Sequence, residues 1–125
     1  MRAMLDAGAL IAIDRRDRQV GAMLRALQQR RIAVRTTAPV LAQVWRDGAK
    51  QVNLAATLPG IERVALETGI DRAVGELLSR SRTSDVVDAH VALSVSSGDR
   101  VLTSDPDDIE RLLDVRGVRA QVVRV

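Results

Sequence analysis

The sequence has no cysteine, phenylalanine or tyrosine, and only one tryptophan, Trp45. Without cysteine there can be no disulfide and no thiolate metal site, which is compatible with a reducing compartment. Without rows of aromatics there is no stacking platform for single-stranded nucleic acid. Long apolar runs are missing too. The opening MRAMLDAGALIAIDRR meets charge too early for a signal peptide or a membrane span, so a cytoplasmic protein is expected. Glycine-rich phosphate loops of the GxGxxG or GxxxxGK[ST] kind do not occur. With His90 as the only histidine, read as a packing or surface residue, no Ser-His-Asp or Cys-His arrangement is expected.

What is present is aliphatic and basic. Of 125 residues 46% are hydrophobic, enough for a core of Ala, Val, Leu and Ile in one domain spanning 1–125. Lys50 is the only lysine, so arginine carries almost all of the positive charge. The net charge is +3 and the pI about 10.8. Arginine suits bidentate contact with phosphate, although codon bias toward Arg and Ala gives the same composition.

Periodicity predicts strands at 1–5, 32–35, 61–66, 100–103 and 121–125, with helices between them at 7–13, 20–29, 39–46, 50–58, 70–78, 85–96 and 106–113. Thr36 or Thr37 is the expected cap of the third helix, and Asp47-Gly48 its stop. Alternation of this kind implies α/β architecture, a parallel sheet with helices on both faces. No internal repeat, low-complexity segment or linker interrupts it.

The organising stretch is TSDVVDAHVALSVSSGDRVLTSDPDDIERLL, residues 83–113. Asp85 and Asp88 stand three apart at the head of a helix and share a face. Asp105 follows a strand directly, as Asp6 follows the first strand. Ligand sites of parallel sheets form at the carboxyl edge, so these four acids are expected to meet there. Each has a simpler role available, as a helix cap or a partner of the helix dipole. Asp107 and Asp108 are assigned that simpler role. Asp88 resists it, because the predicted helix start at Asp85 puts it past the capping positions. It lies among Val87, Ala89, Val91 and Ala92, with no Lys or Arg within four residues. Crowded carboxylates repel, and a divalent cation relieves the repulsion. Oxygen donors alone point to magnesium or manganese.

MLDAGALIAI, PVLAQVWRDG and SDVVDAHVAL…VLTSDPDDIERL, in that order, resemble the PIN-domain ribonucleases, and most of all the VapC-type toxins of toxin–antitoxin pairs. The resemblance spans nearly the whole chain. It implies a three-layer α/β/α domain with a short parallel sheet of four or five strands. Asp6, Asp88 and Asp105 match the family's metal-binding acids, with Asp85 as a nearby extra catalytic carboxylate. The implied activity is RNA hydrolysis with magnesium or manganese. The implied partners are the RNA substrate, a second copy in a homodimer and a small antitoxin that silences the toxin.

Two positions depart from the family pattern. Gln43 stands where a Glu is usual, and Gly8 where a hydroxyl residue is common. Gln43, Arg46 as a phosphate clamp and Ser104 as a hydrogen-bonding group form the expected substrate-binding set. Gln43 also motivates a different reading, a PIN-like domain that binds RNA or a partner with weak or no cleavage.

Overall fold

The structure, a computed structural model, describes residues 1–125. Five strands form one parallel sheet: β1 (Ala3–Leu5), β2 (Val34–Thr37), β3 (Glu62–Val64), β4 (Arg100–Thr103) and β5 (Gln121–Arg124). Seven helices connect them: α1 (Ala7–Asp14), α2 (Arg18–Gln29), α3 (Ala38–Val44), α4 (Val52–Thr57), α5 (Ile70–Ser81), α6 (Val86–Leu93) and α7 (Pro106–Arg116). A single 3-10 turn, Leu58–Gly60, follows α4.

The strand order is β3-β2-β1-β4-β5. The chain therefore builds outward from β1 in one direction, then returns to build on its other side. Parallel crossovers are right-handed, so reversing the direction moves the connecting helices to the opposite face. Accordingly α1 packs with α2, α3 and α4, while α5, α6 and α7 pack with one another. The result is a three-layer α/β/α domain.

One core of 25 buried apolar residues lies between these layers, and it holds only Ala, Val, Leu, Ile and Met4. The helical stripe of α2 supplies Val20, Leu24 and Leu27, and Asp17 caps that helix by accepting the Val20 N–H. Trp45 stays at the rim, half-buried. No helix is long and apolar enough to cross a membrane.

Element boundaries moved where side chains from distant segments intervene. The second strand starts two residues later than expected, and both threonines belong to it. Thr36 Oγ1 donates to the Leu5 carbonyl at 2.8 Å, and Thr37 caps α3 through the Val40 N–H. The third helix stops at Val44, short of Asp47-Gly48. There Gln51 Nε2 donates to the Val44 carbonyl and its Oε1 accepts the Arg46 and Asp47 N–H groups. The sixth helix stops at Leu93 instead of residue 96. Ser94 Oγ bonds the His90 carbonyl, and Arg116 donates to the Ala92 and Val95 carbonyls from α7. Local periodicity carries no trace of such long-range caps.

Candidate metal centre

The order reversal lies between β1 and β4, and open parallel sheets gather ligands at the carboxyl ends flanking such a point. The ladder pairs Leu5 with Leu102, which sets Asp6 level with Thr103. Asp6 is 5% exposed. Its Oδ1 accepts the Ala7 N–H at 2.8 Å and its Oδ2 the Thr103 hydroxyl at 2.8 Å. Burial raises the Asp6 pKa above the usual carboxylate value, the two hydrogen bonds oppose this, and Asp105 and Asp85 add to the rise.

Helix α6 brings the second pair of acids. It begins at Val86, one residue later than the sequence suggests, so Asp88 falls in the first turn, not the second. Asp85 is its N-cap, with Oδ1 accepting the Asp88 N–H at 2.9 Å. A carboxylate in a first turn is favoured by the helix dipole, by only about 0.3–1 kcal/mol. Stronger influences win at Asp88. Burial first, then the charges of Asp6, Asp85, Asp108 and Asp105, push its pKa up to about 7.

Asp105 occupies the N-cap position of α7, yet its side chain makes no capping bond. The expected capping role is therefore vacant, and the carboxylate is free and exposed. Asp108, assigned only a capping or dipole role from sequence, belongs to the same group as Asp88. With Thr83, Ser84, Asp85, Asp88 and Leu112 it lines a cleft of about 240 Å³. A signal for it was available: Asp105 and Asp108 repeat the Asp-x-x-Asp spacing of Asp85 and Asp88, again at a helix start.

None of these five acids has a cationic partner. The molecule's two ion pairs are Arg2–Asp99 at 3.6 Å and Arg35–Glu62 at 3.5 Å, both outside the group. Unpaired oxygen donors crowded in this way suit a hard divalent cation. In the conformation described no three acids stand close enough to share one ion. Closing on an ion requires side-chain rotation, which is open to Asp85, Asp105 and Asp108 because all three are exposed.

No protein-family model matches this sequence, and no curated protein matches it. Among solved structures, one chain of the crystal structure of VapBC2 from Rickettsia felis bound to a DNA fragment from their promoter superimposes with a TM-score of 0.72. The match covers 98% of this chain and 99% of that one, at 15% identity. The fold is PIN-like. The likeness is one of architecture.

The remaining expected site residues are dispersed. Gln43 is exposed and lines a separate cleft of about 270 Å³ with Asp14, Arg15, Arg46 and Gln51. Arg46 donates to the Ala42 and Trp45 carbonyls at the end of α3, so its guanidinium is held on backbone. Ser104 lies beside Asp105 and against Gly8. Sequence reasoning passed over Arg124 of β5, whose guanidinium reaches this edge and donates to the Ser104 carbonyl at 3.2 Å. His90 is buried, and neither ring nitrogen makes a hydrogen bond. Burial lowers its pKa below the usual imidazole value.

Gly8 is explained by Ser104. A Cβ on residue 8 would sit 2.6 Å from Ser104 Oγ, 2.7 Å from its Cβ and 3.0 Å from its backbone nitrogen. The hydroxyl of Ser104 fills the space that a side chain at position 8 would need. Gly8→Ala is expected to destabilise the protein by about 1–3 kcal/mol, as overpacking does. Urea unfolding of Gly8→Ala and of Gly8→Ala with Ser104→Gly checks this, and the second substitution should recover most of the loss.

Proposed function

We propose that this protein is a metal-dependent endoribonuclease of the VapC type, held in check by a small antitoxin. The observation that carries the reading is a group of five carboxylates near the sheet switch point with no cationic partner, among which burial first, and then the charges of the other four, push the Asp88 pKa up to about 7. Asp6, Asp88 and Asp105 would hold magnesium, or manganese in its place. When bound, such an ion supplies an activated water and neutralises charge developing on the phosphate. Asp6 is locked by Thr103 and Ala7 and serves as the fixed ligand. Asp85 spends one oxygen on the Asp88 N–H, which leaves the other to accept a proton through water. Ser104 and Arg124 stand beside Asp105, suited to contact the substrate phosphate.

The architectural likeness to a chain of a VapBC2 complex supports an antitoxin partner. An apolar groove of about 460 Å³ lined by Ala38, Leu41, Ala42, Trp45 and Leu58, with Arg63 on its wall, is the surface assigned to it. Homodimerisation in the cytoplasm completes the reading, and light scattering of the purified protein tests the dimer.

The test of activity is cleavage of a structured RNA. Cutting is expected with magnesium or manganese and is expected to stop with EDTA. A second reading, an RNA- or partner-binding domain with little turnover, is favoured by Gln43, an uncharged residue that faces the Arg15 and Arg46 cleft instead of the acids. RNA binding without metal-dependent cutting would select it.

A further inference from the structure

The acids that would hold the metal repel RNA wherever no ion screens them, so basic surface elsewhere on the molecule adds to the affinity for a polyanion. The largest concavity lies on the opposite end of α1 from Asp6. It is a groove of about 680 Å³ between α2 and α4, walled by Arg16, Arg18, Arg25, Gln28 and Asn53 among others. Three arginines face one acid, Asp17, and the Asp17 Oδ1 is already committed to the Val20 N–H. None of the three arginines forms an ion pair.

One wall of the groove is ordered by side-chain hydrogen bonds, although all three arginines are exposed. Arg16 sits in the left-handed region, at φ 56, where the turn between α1 and α2 directs it to Asn53. Its Nε donates to Asn53 Oδ1 at 3.0 Å, which leaves both Nη groups without a protein partner. Asn53 is itself anchored, donating to the Asp14 carbonyl at 2.9 Å. On the facing helix the Arg25 guanidinium lies over Gly21, with Nη1 3.4 Å from where a residue-21 Cβ would be, an ordinary contact distance. Oriented guanidinium groups without carboxylate partners match phosphate oxygens. Residues of α1 separate the groove from Asp6 by roughly 12 Å at ~1.5 Å per residue. The neighbouring cleft with Arg15 and Arg46 lies along the same helix.

We infer that the Arg16–Arg18–Arg25 groove binds backbone phosphates of single-stranded RNA away from the bond to be cut. This rests on the ribonuclease reading for its substrate class, but its central test does not need cleavage. Binding energy realised so far from the reaction centre acts on ground state and transition state alike, and so appears in KM and not in kcat.

The test is fluorescence anisotropy of a labelled single-stranded RNA in EDTA, across a salt series, with wild-type protein and the combined variant Arg16→Gln, Arg18→Ala, Arg25→Ala. Loss of three phosphate contacts is expected to reduce the log–log salt slope by about 2 and the affinity at low salt by about tenfold or more. The triple Lys variant should keep most of the slope. Arg18→Ala with Arg25→Ala, on the exposed face of α2 alone, serves if the triple variant is unstable. In cleavage with magnesium, KM for long RNA should rise with kcat unchanged. An unaltered slope and affinity overturn the inference. So does loss of binding to polyglutamate with RNA binding intact, which would make the groove a site for acidic protein. If the wild-type protein never cuts RNA yet the variants lose RNA binding, the nuclease reading falls and the groove stands. If wild type cuts and the variants bind and cut as before, the reverse holds.

Discussion

Asp88→Asn is expected to lower metal-dependent RNA cleavage by about a thousandfold or more, some ~4 kcal/mol in the barrier. The substitution keeps the shape of the side chain and removes its charge. It therefore separates the role of the carboxylate from that of the helix start. The cap itself should survive, because Asp85 accepts from the Asp88 backbone N–H and not from the side chain. Asp6→Asn should match it in activity but cost stability as well. Asp6 accepts from both Ala7 and Thr103, and an amide can accept through only one of its two ends. Single-turnover cleavage with magnesium and circular dichroism of both variants provide the check. Full activity in Asp88→Asn would end the metal-centre reading.

The second large effect is on stability, and its sign runs opposite to that of activity. The Asp88 pKa stands near 7 in the folded protein against 3.8 for an unperturbed Asp. Between these values the folded state binds more protons than the unfolded state, so stability falls as pH rises through that window. Asp6, also raised, contributes in the same direction. Without metal, the protein should therefore lose stability from about pH 4 to about pH 7. Asp88→Asn should flatten the curve and stabilise at pH 8, on the order of 1 kcal/mol once solvent screening is allowed for. Magnesium should raise the Tm of the wild type, by more at pH 8 than at pH 5, because cation and proton compete for the same oxygens. It should leave Asp88→Asn nearly unmoved. Thermal melts with EDTA or magnesium at the two pH values measure this. A magnesium shift that ignores pH and persists in the variant would contradict it.

These two results are coupled through one physical fact. Carboxylates gathered for a cation destabilise the empty protein, and strain of this kind is typical of functional sites. Were the Asp88 carboxylate present only to complement the helix dipole, Asp88→Asn would lose about 0.3–1 kcal/mol of stability instead of gaining it.

The alternation of aliphatic runs and helical stripes was enough to give the parallel α/β class and the order of elements, with four or five strands expected where the sheet has five. Both are local properties, written in periods of two and 3.6 residues. An acid directly after a strand was equally legible, which is why Asp6 and Asp105 stood out. The sequence alone left open which side of β1 the fourth strand takes. That choice rests on pairing between residues 3–5 and 100–102, far apart along the chain, and it creates the switch point beside which Asp6 and Asp105 lie. The helix start was likewise beyond reach: Asp85 became the cap instead of the first helical residue, which put Asp88 in the first turn of α6. Tertiary structure brought Arg124 to this edge and set Asp108, whose spacing from Asp105 was visible in the sequence, in one cleft with Asp85 and Asp88. It set Gln43 and Arg46 in another cleft, left Asp105 uncapped, and filled the space above Gly8 with Ser104. Each of these depends on which distant side chain arrives beside a residue, and short-range pattern holds no record of that.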